Sequence, residues 1–169
     1  FRFRGPVEQL VFEILLECHH GWLWPFFIMS TDFNLLAVFV NFLQVIRGEE
    51  LTKLMTALVA YENLNSREII KISKNAIQPP ENSANLIEGE TLTVEQLLYA
   101  LLMESSNDAS VALEEFYNST RSQDAPTFMD VINNRAKELG LEDASFIEPT
   151  GLNPQNRASA YGVAQMLYA

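Results

Sequence analysis

A mainly helical α+β fold is what this 169-residue sequence predicts, on three observations. Apolar residues recur at helical spacing in several stretches after residue 50. Two short pieces between those stretches look extended, one of them β-branched and half alternating. The apolar share of 48% against 20% charged is that of a chain able to bury a sizeable core, with no low-complexity tract to interrupt it.

The elements follow in order. Leu51, Leu54, Met55, Leu58 and Val59 lie on one stripe, predicting a helix over 51–61. Residues 67–73 predict a strand, and Gln78-Pro-Pro-Glu-Asn-Ser83 a loop through its prolines. Residues 89–93 predict a second extended piece. Thr93-Val-Glu-Gln96 has the spacing of a capping box and opens a helix over 94–103. Glu104-Ser-Ser-Asn-Asp108 breaks it, because short polar side chains bond their own backbone. Helices resume over 109–117 and 127–139, with Gly140 suited to the left-handed position past the second. Residues 145–152 predict an extended piece that turns, and 159–169 the start of another helix.

Composition divides the chain. Residues 1–46 contain eight of the eleven Phe, both Trp and both His, and no Lys or Tyr. Two Arg against four acids leave −2 of the total charge of −11 there, and the remainder falls after residue 46. Two units are therefore expected, an aromatic-rich segment over 1–49 and a domain over 50–169, joined by a fusion or a shifted reading frame. A chain opening on Phe1 is expected to lack its natural start. No stretch gathers Lys or Arg into a basic face, which argues against nucleic acid and against docking on anionic lipid. The single cysteine, Cys18, excludes an internal disulfide and a cysteine zinc cage. Glu17-Cys18-His19-His20 is expected to be an aromatic-rich turn, since adjacent side chains diverge and rarely chelate one ion. The apolar run over 22–46 contains Pro25 and Asp32, and its cleanest piece, 33–46, is too short to span a bilayer. A buried helix or signal-type segment is expected there, with membrane association as the alternative.

Four stretches carry a resemblance: Leu51-Thr-Lys-Leu-Met-Thr-Ala-Leu-Val-Ala60; residues 88–102 running into Ser105-Ser-Asn-Asp-Ala109; Phe128 with Asn133, Ala136 and Lys137-Glu-Leu-Gly140; and Glu148-Pro-Thr-Gly-Leu152 followed by Ser159-Ala-Tyr161. In this order and spacing, residues 51–169 resemble the serine-type D-Ala-D-Ala carboxypeptidases, the low-molecular-weight penicillin-binding proteins. The resemblance implies a penicillin-binding protein/β-lactamase-like α+β fold, represented here mainly by its helical subdomain. It also implies acyl transfer by a serine that opens a helix, with a lysine one turn later taking its proton. A Ser-x-Asn segment would supply a second hydroxyl and an amide for the substrate peptide.

Carried over residue by residue, Lys53 matches the family lysine, and Ser105 and Asn107 match the Ser-x-Asn pair. The nucleophile position is Glu50, which cannot form the acyl-serine and whose expected role is to pair with Lys53. The chain departs from the family pattern again at Glu148 and Gly162, and the Lys-Thr-Gly segment is expected beyond residue 169. Ser105 and Asn107 are also expected to cap the following helix, and Asp108 to be a first-turn acid. The implied substrate is the peptidoglycan stem peptide, outside the cytoplasmic membrane. No metal or organic cofactor is implied, and β-lactams are the implied inhibitors. The chain as written is expected to be inactive. A non-catalytic cell-wall binding module and a membrane-associated interaction protein are the alternatives.

Overall fold

The structure is a computed structural model and describes residues 48–81 and 83–158. The expectations for 1–47, including the 17–20 turn and the apolar runs, lie outside the described residues, as does the helix expected over 159–169.

Helix α1 (Gly48–Asn63) starts three residues earlier than its apolar stripe. Leu51, Met55 and Val59 of that stripe are buried as expected, while Leu54 and Leu58 are only half-buried. The opposite face is buried too, through Thr52, Lys53, Thr56, Ala57 and Ala60. Small and hydroxyl-bearing residues there let neighbouring segments approach closely. A helix covered on both faces is the centre of a domain, and α1 indeed packs against three later helices.

The strand expected over 67–73 is shorter, β1 (Ile69–Lys71), and pairs antiparallel with β2 (Thr91–Thr93) in the register Ile69 to Thr93, Ile70 to Leu92 and Lys71 to Thr91. Alternation places Ile70 in the core and leaves Ile69 67% exposed. Thr93 ends β2 and caps α2 (Val94–Met103) through the capping box: its hydroxyl accepts from the Gln96 amide, and the Gln96 side chain accepts from the Thr93 amide. Val94, Leu97 and Leu101 form the buried stripe of α2. Helix α3 (Asn107–Ser119) begins after a three-residue turn, and α4 (Phe128–Glu138) after a loop. A second capping box starts α4, with Thr127 and Asp130 as its partners. Phe128 packs against Tyr117 with ring centroids 5.3 Å apart. Helix α4 ends as expected, with Gly140 at φ 79° and the Leu141 amide reaching back to the Ala136 carbonyl.

The piece expected to be extended over 145–152 contains one bridge only, Ser145 with Arg157. Between them the chain curls around Glu148 and returns to α1. No helix among the described residues is long and apolar enough to cross a membrane.

Candidate active site

The first two turns of α1 face the turn between α2 and α3. Lys53 is 3% exposed, an unusual position for an ammonium unless it is paired. It donates one hydrogen bond of 2.9 Å to Ser105 Oγ and another of 2.9 Å to Glu49 Oε1. The first contact joins residues 52 apart in sequence. The two residues that matched the motif at distant positions therefore meet in space.

Ser105 has φ 55°, left-handed backbone that costs a non-glycine residue on the order of 1–3 kcal/mol. The distortion lets the chain leave α2 and enter α3 with the Ser105 hydroxyl turned toward Lys53. The cap of α3 is its neighbour: Ser106 Oγ accepts from the Ala109 amide. The expectation that Ser105 or Asn107 caps this helix is corrected, because Ser105 bonds Lys53 and Asn107 already lies inside the first turn.

Asn107 is fully buried. Its amide nitrogen donates to the carbonyls of Pro80 and Glu81, at 3.0 and 3.2 Å. Its Oδ1 has no hydrogen-bond partner among the described residues. The bonding partners of the Lys53 amine are thus Ser105 and Glu49, while the Asn107 amide is spent on the 80–81 backbone.

Asp108 lies in the first turn of α3, as expected, and clamps the same loop. Its carboxylate accepts from the hydroxyls of Ser83 (2.6 Å) and Ser106 and from the amides of Ala84 and Leu86, both 3.2 Å. Burial alone would push its carboxyl up, but the four hydrogen bonds outweigh burial and hold it below the usual carboxylate range. The loop is itself strained at Glu81 (φ 61°) and Asn85 (φ 57°). Asn107 and Asp108 hold the loop in that shape beside the Ser105 turn.

Glu50 is exposed. The carboxylate on Lys53 belongs to Glu49, one helical turn away, with the two side chains 18% and 4% exposed. This corrects the expected pairing of Lys53 with Glu50. Both acids precede Lys53 at helical spacing, and the segment over 148–156 packs against α1 at Glu49. Gly151, at φ 87°, lies against the Glu49 backbone, where a Cβ would come within 2.4 Å of Glu49 Cα. Further along the same helix face, Thr52 Oγ1 accepts from Asn156 (3.3 Å) and Thr56 donates to the Pro149 carbonyl (2.9 Å).

Glu148, a departure from the family pattern, organises this segment. It accepts from the amides of Thr150, Gly151 and Asn153 and from the Asn156 side chain. Glu114 on α3 feels that charge. Its carboxyl is pushed up to about 7 by burial, with Glu148 and Glu115 adding repulsion. Sequence reasoning missed Glu49 and the Glu148 knot. The i, i+4 spacing of Glu49 and Lys53 was the one local signal for the former.

Comparison with known proteins gives the family and the fold. A family model described as D-alanyl-D-alanine carboxypeptidase matches residues 41–169. The chain is 36% identical over 122 residues to the D-alanyl-D-alanine carboxypeptidase DacF of Bacillus subtilis, covering 69% of this chain and 30% of that protein. Among solved structures, the D-alanyl-D-alanine carboxypeptidase DacD from Francisella tularensis superposes with a TM-score of 0.62 at 30% identity, covering 71% of this chain and 30% of that one. The Streptomyces K15 DD-transpeptidase superposes with a TM-score of 0.61 at 32% identity, covering 72% and 50%. The chain thus spans about a third of the length of the curated relatives it matches. The helices and small sheet described above are part of a penicillin-binding-protein-like α+β fold, as expected.

Proposed function

Because the chain belongs to the D-alanyl-D-alanine carboxypeptidase family, we propose that its parent protein removes the terminal D-Ala from peptidoglycan stem peptides, outside the cytoplasmic membrane, by serine acyl transfer. The observation that carries this reading is the 2.9 Å contact between Lys53 and Ser105. It brings together an amine for proton transfer from α1 and a hydroxyl from the α2–α3 turn. Asn107, two residues on, is the substrate-binding residue in this reading, with its unpartnered Oδ1 as the atom left for the peptide, since its amide nitrogen is held by the 80–81 backbone. The D-Ala-D-Ala carboxypeptidase names of the relatives support the substrate class. No metal or organic cofactor takes part, and β-lactams are the expected inhibitors.

The chain as written does not turn over. A carboxylate at residue 50 gives no acyl-serine, so Glu50 ends the covalent step before it starts. Incubation with a fluorescent penicillin tests this: no covalent label is expected, and a label would refute it.

The exposed Glu50 beside an intact Lys53–Ser105 contact favours one second reading, a module that retains the peptide groove without the chemistry. Muropeptide binding without turnover, measured by calorimetry, would distinguish it from a chain that does neither. The division of the chain near residue 50 is part of the same proposal. Sequencing the parent DNA tests it, and an unbroken frame encoding Glu50 in an expressed full-length protein would overturn it.

A further inference from the structure

The geometry points to Asp108 as a positioning residue: by fastening the loop between β1 and β2, it fixes which atom of Asn107 is left for a ligand. The inference deepens the carboxypeptidase reading and rests on it, since in that reading the ligand is the stem peptide.

The Asn107 side chain is pinned at one end. Its nitrogen donates to the carbonyls of Pro80 and Glu81, at 3.0 and 3.2 Å. Carbonyl oxygens accept and cannot donate, so these two set which end of the amide lies against them. The other end, Oδ1, is buried without a hydrogen-bond partner among the described residues. It is the atom left to accept from a donor such as a peptide N–H. A half-turn about the Cβ–Cγ bond would exchange the two ends of the amide. The orientation therefore persists only while the two loop carbonyls stay in place.

Those carbonyls belong to a strained loop. Glu81 and Asn85 have φ 61° and 57°, which non-glycine residues keep only where the surroundings impose it. Asp108 imposes it. Three of its five donors come from this loop, 22 to 25 positions upstream: the Ser83 hydroxyl at 2.6 Å and the Ala84 and Leu86 amides at 3.2 Å. The Ser106 hydroxyl and the Ala109 amide tie the same carboxylate to the start of α3. An acid serving its own helix alone would need only these last two. Asn107 and Asp108 are neighbours in the first turn of α3. The carboxylate holds one arm of the loop to the helix, and the amide grips the other.

Solvent exchange of the two Asn107 side-chain amide protons, read by 15N–1H NMR on the whole chain, tests this. Asn107→Leu assigns the pair by its loss. Ser83→Ala removes one loop donor at an exposed position, and Asp108→Asn weakens the whole clamp. Exchange at Asn107 is expected to quicken about threefold in the first and about tenfold in the second. The backbone amides of Leu97 and Leu101, buried on α2, are expected to stay unchanged in Ser83→Ala. Unchanged exchange at Asn107 overturns the inference. Equal acceleration at Leu97 and Leu101 also overturns it, because that marks general loosening. The Ser83→Ala arm decides even if Asp108→Asn folds poorly. A binding arm separates this inference from the reading beneath it. With a peptide ending in D-Ala-D-Ala, calorimetry is expected to show Ser83→Ala binding about threefold more weakly than wild type, and Asn107→Leu more weakly still. Full affinity in Ser83→Ala despite faster exchange overturns the positioning role. Absence of binding in every protein, with the exchange as expected, supports the clamp and counts against the peptide role given to Asn107 in the carboxypeptidase reading.

Discussion

Gly151 and Glu49, about a hundred positions apart in the sequence, meet backbone to backbone: a Cβ on the glycine would lie 2.4 Å from Glu49 Cα and 2.8 Å from its carbonyl oxygen. Gly151→Ala is therefore doubly unfavourable, since alanine also resists φ 87°. The expected loss is about 2–4 kcal/mol by urea unfolding. A loss below about 0.5 kcal/mol would show that α1 shifts freely at its start.

Asp108→Ala strips five donors of one acceptor: the Ser83 and Ser106 hydroxyls and the Ala84, Leu86 and Ala109 amides. The expected cost is about 2–4 kcal/mol. Asp108→Asn retains part of the hydrogen bonding and is expected to lose less. Limited proteolysis should cut the 80–86 loop faster in the Ala variant, and equal cutting rates would contradict the clamp.

Glu114 gives stability a pH dependence of known sign. Its folded value, about 7, lies above its ordinary 4.5, so the folded state holds the proton more tightly. The contribution is present in full below pH 4.5 and is lost as pH rises through 7. Glu114→Gln should leave stability unchanged near pH 4 and raise it by about 1–2 kcal/mol at pH 8, after discounting for solvent screening. Urea curves at the two pH values check this, and a pH-independent difference would refute it. The difference between the proteins isolates Glu114 from Asp108, whose depressed value acts at the acid end and in the opposite sense.

Thr93→Ala removes the capping box of α2 at the point where β2 ends. A cost of about 1 kcal/mol is expected, with the loss in thermal midpoint largely restored by Thr93→Ser. Failure of serine to restore it would shift the explanation from the cap to packing of the threonine methyl.

What the sequence made legible was mostly local. Thr93 with Gln96, and Gly140 past α4, are signals contained within a few residues, and both appear as expected. Lys53 and Ser105 were legible through their motif surroundings alone, since no periodicity brings together residues 52 apart. The choice between Glu49 and Glu50 was not legible, because both precede Lys53 at a spacing that allows an ion pair on a helix. Residues 145–152 read as extended from their composition, but Glu148 gathers three nearby amides and curls them. The start of α3 was misplaced because Ser105, Ser106 and Asn107 are alike in propensity. Their three different tasks are set by Lys53, the Ala109 amide and the Pro80 carbonyl.

The span between Lys53 and Ser105 has a kinetic consequence. Closing a chain segment of 52 residues costs about 3.5 kcal/mol in entropy, which a single hydrogen bond does not recover. The amine and the hydroxyl thus join only after hydrophobic docking of α1 on α2 and α3 has brought their segments together, so their union marks the completion of assembly and is not its nucleus.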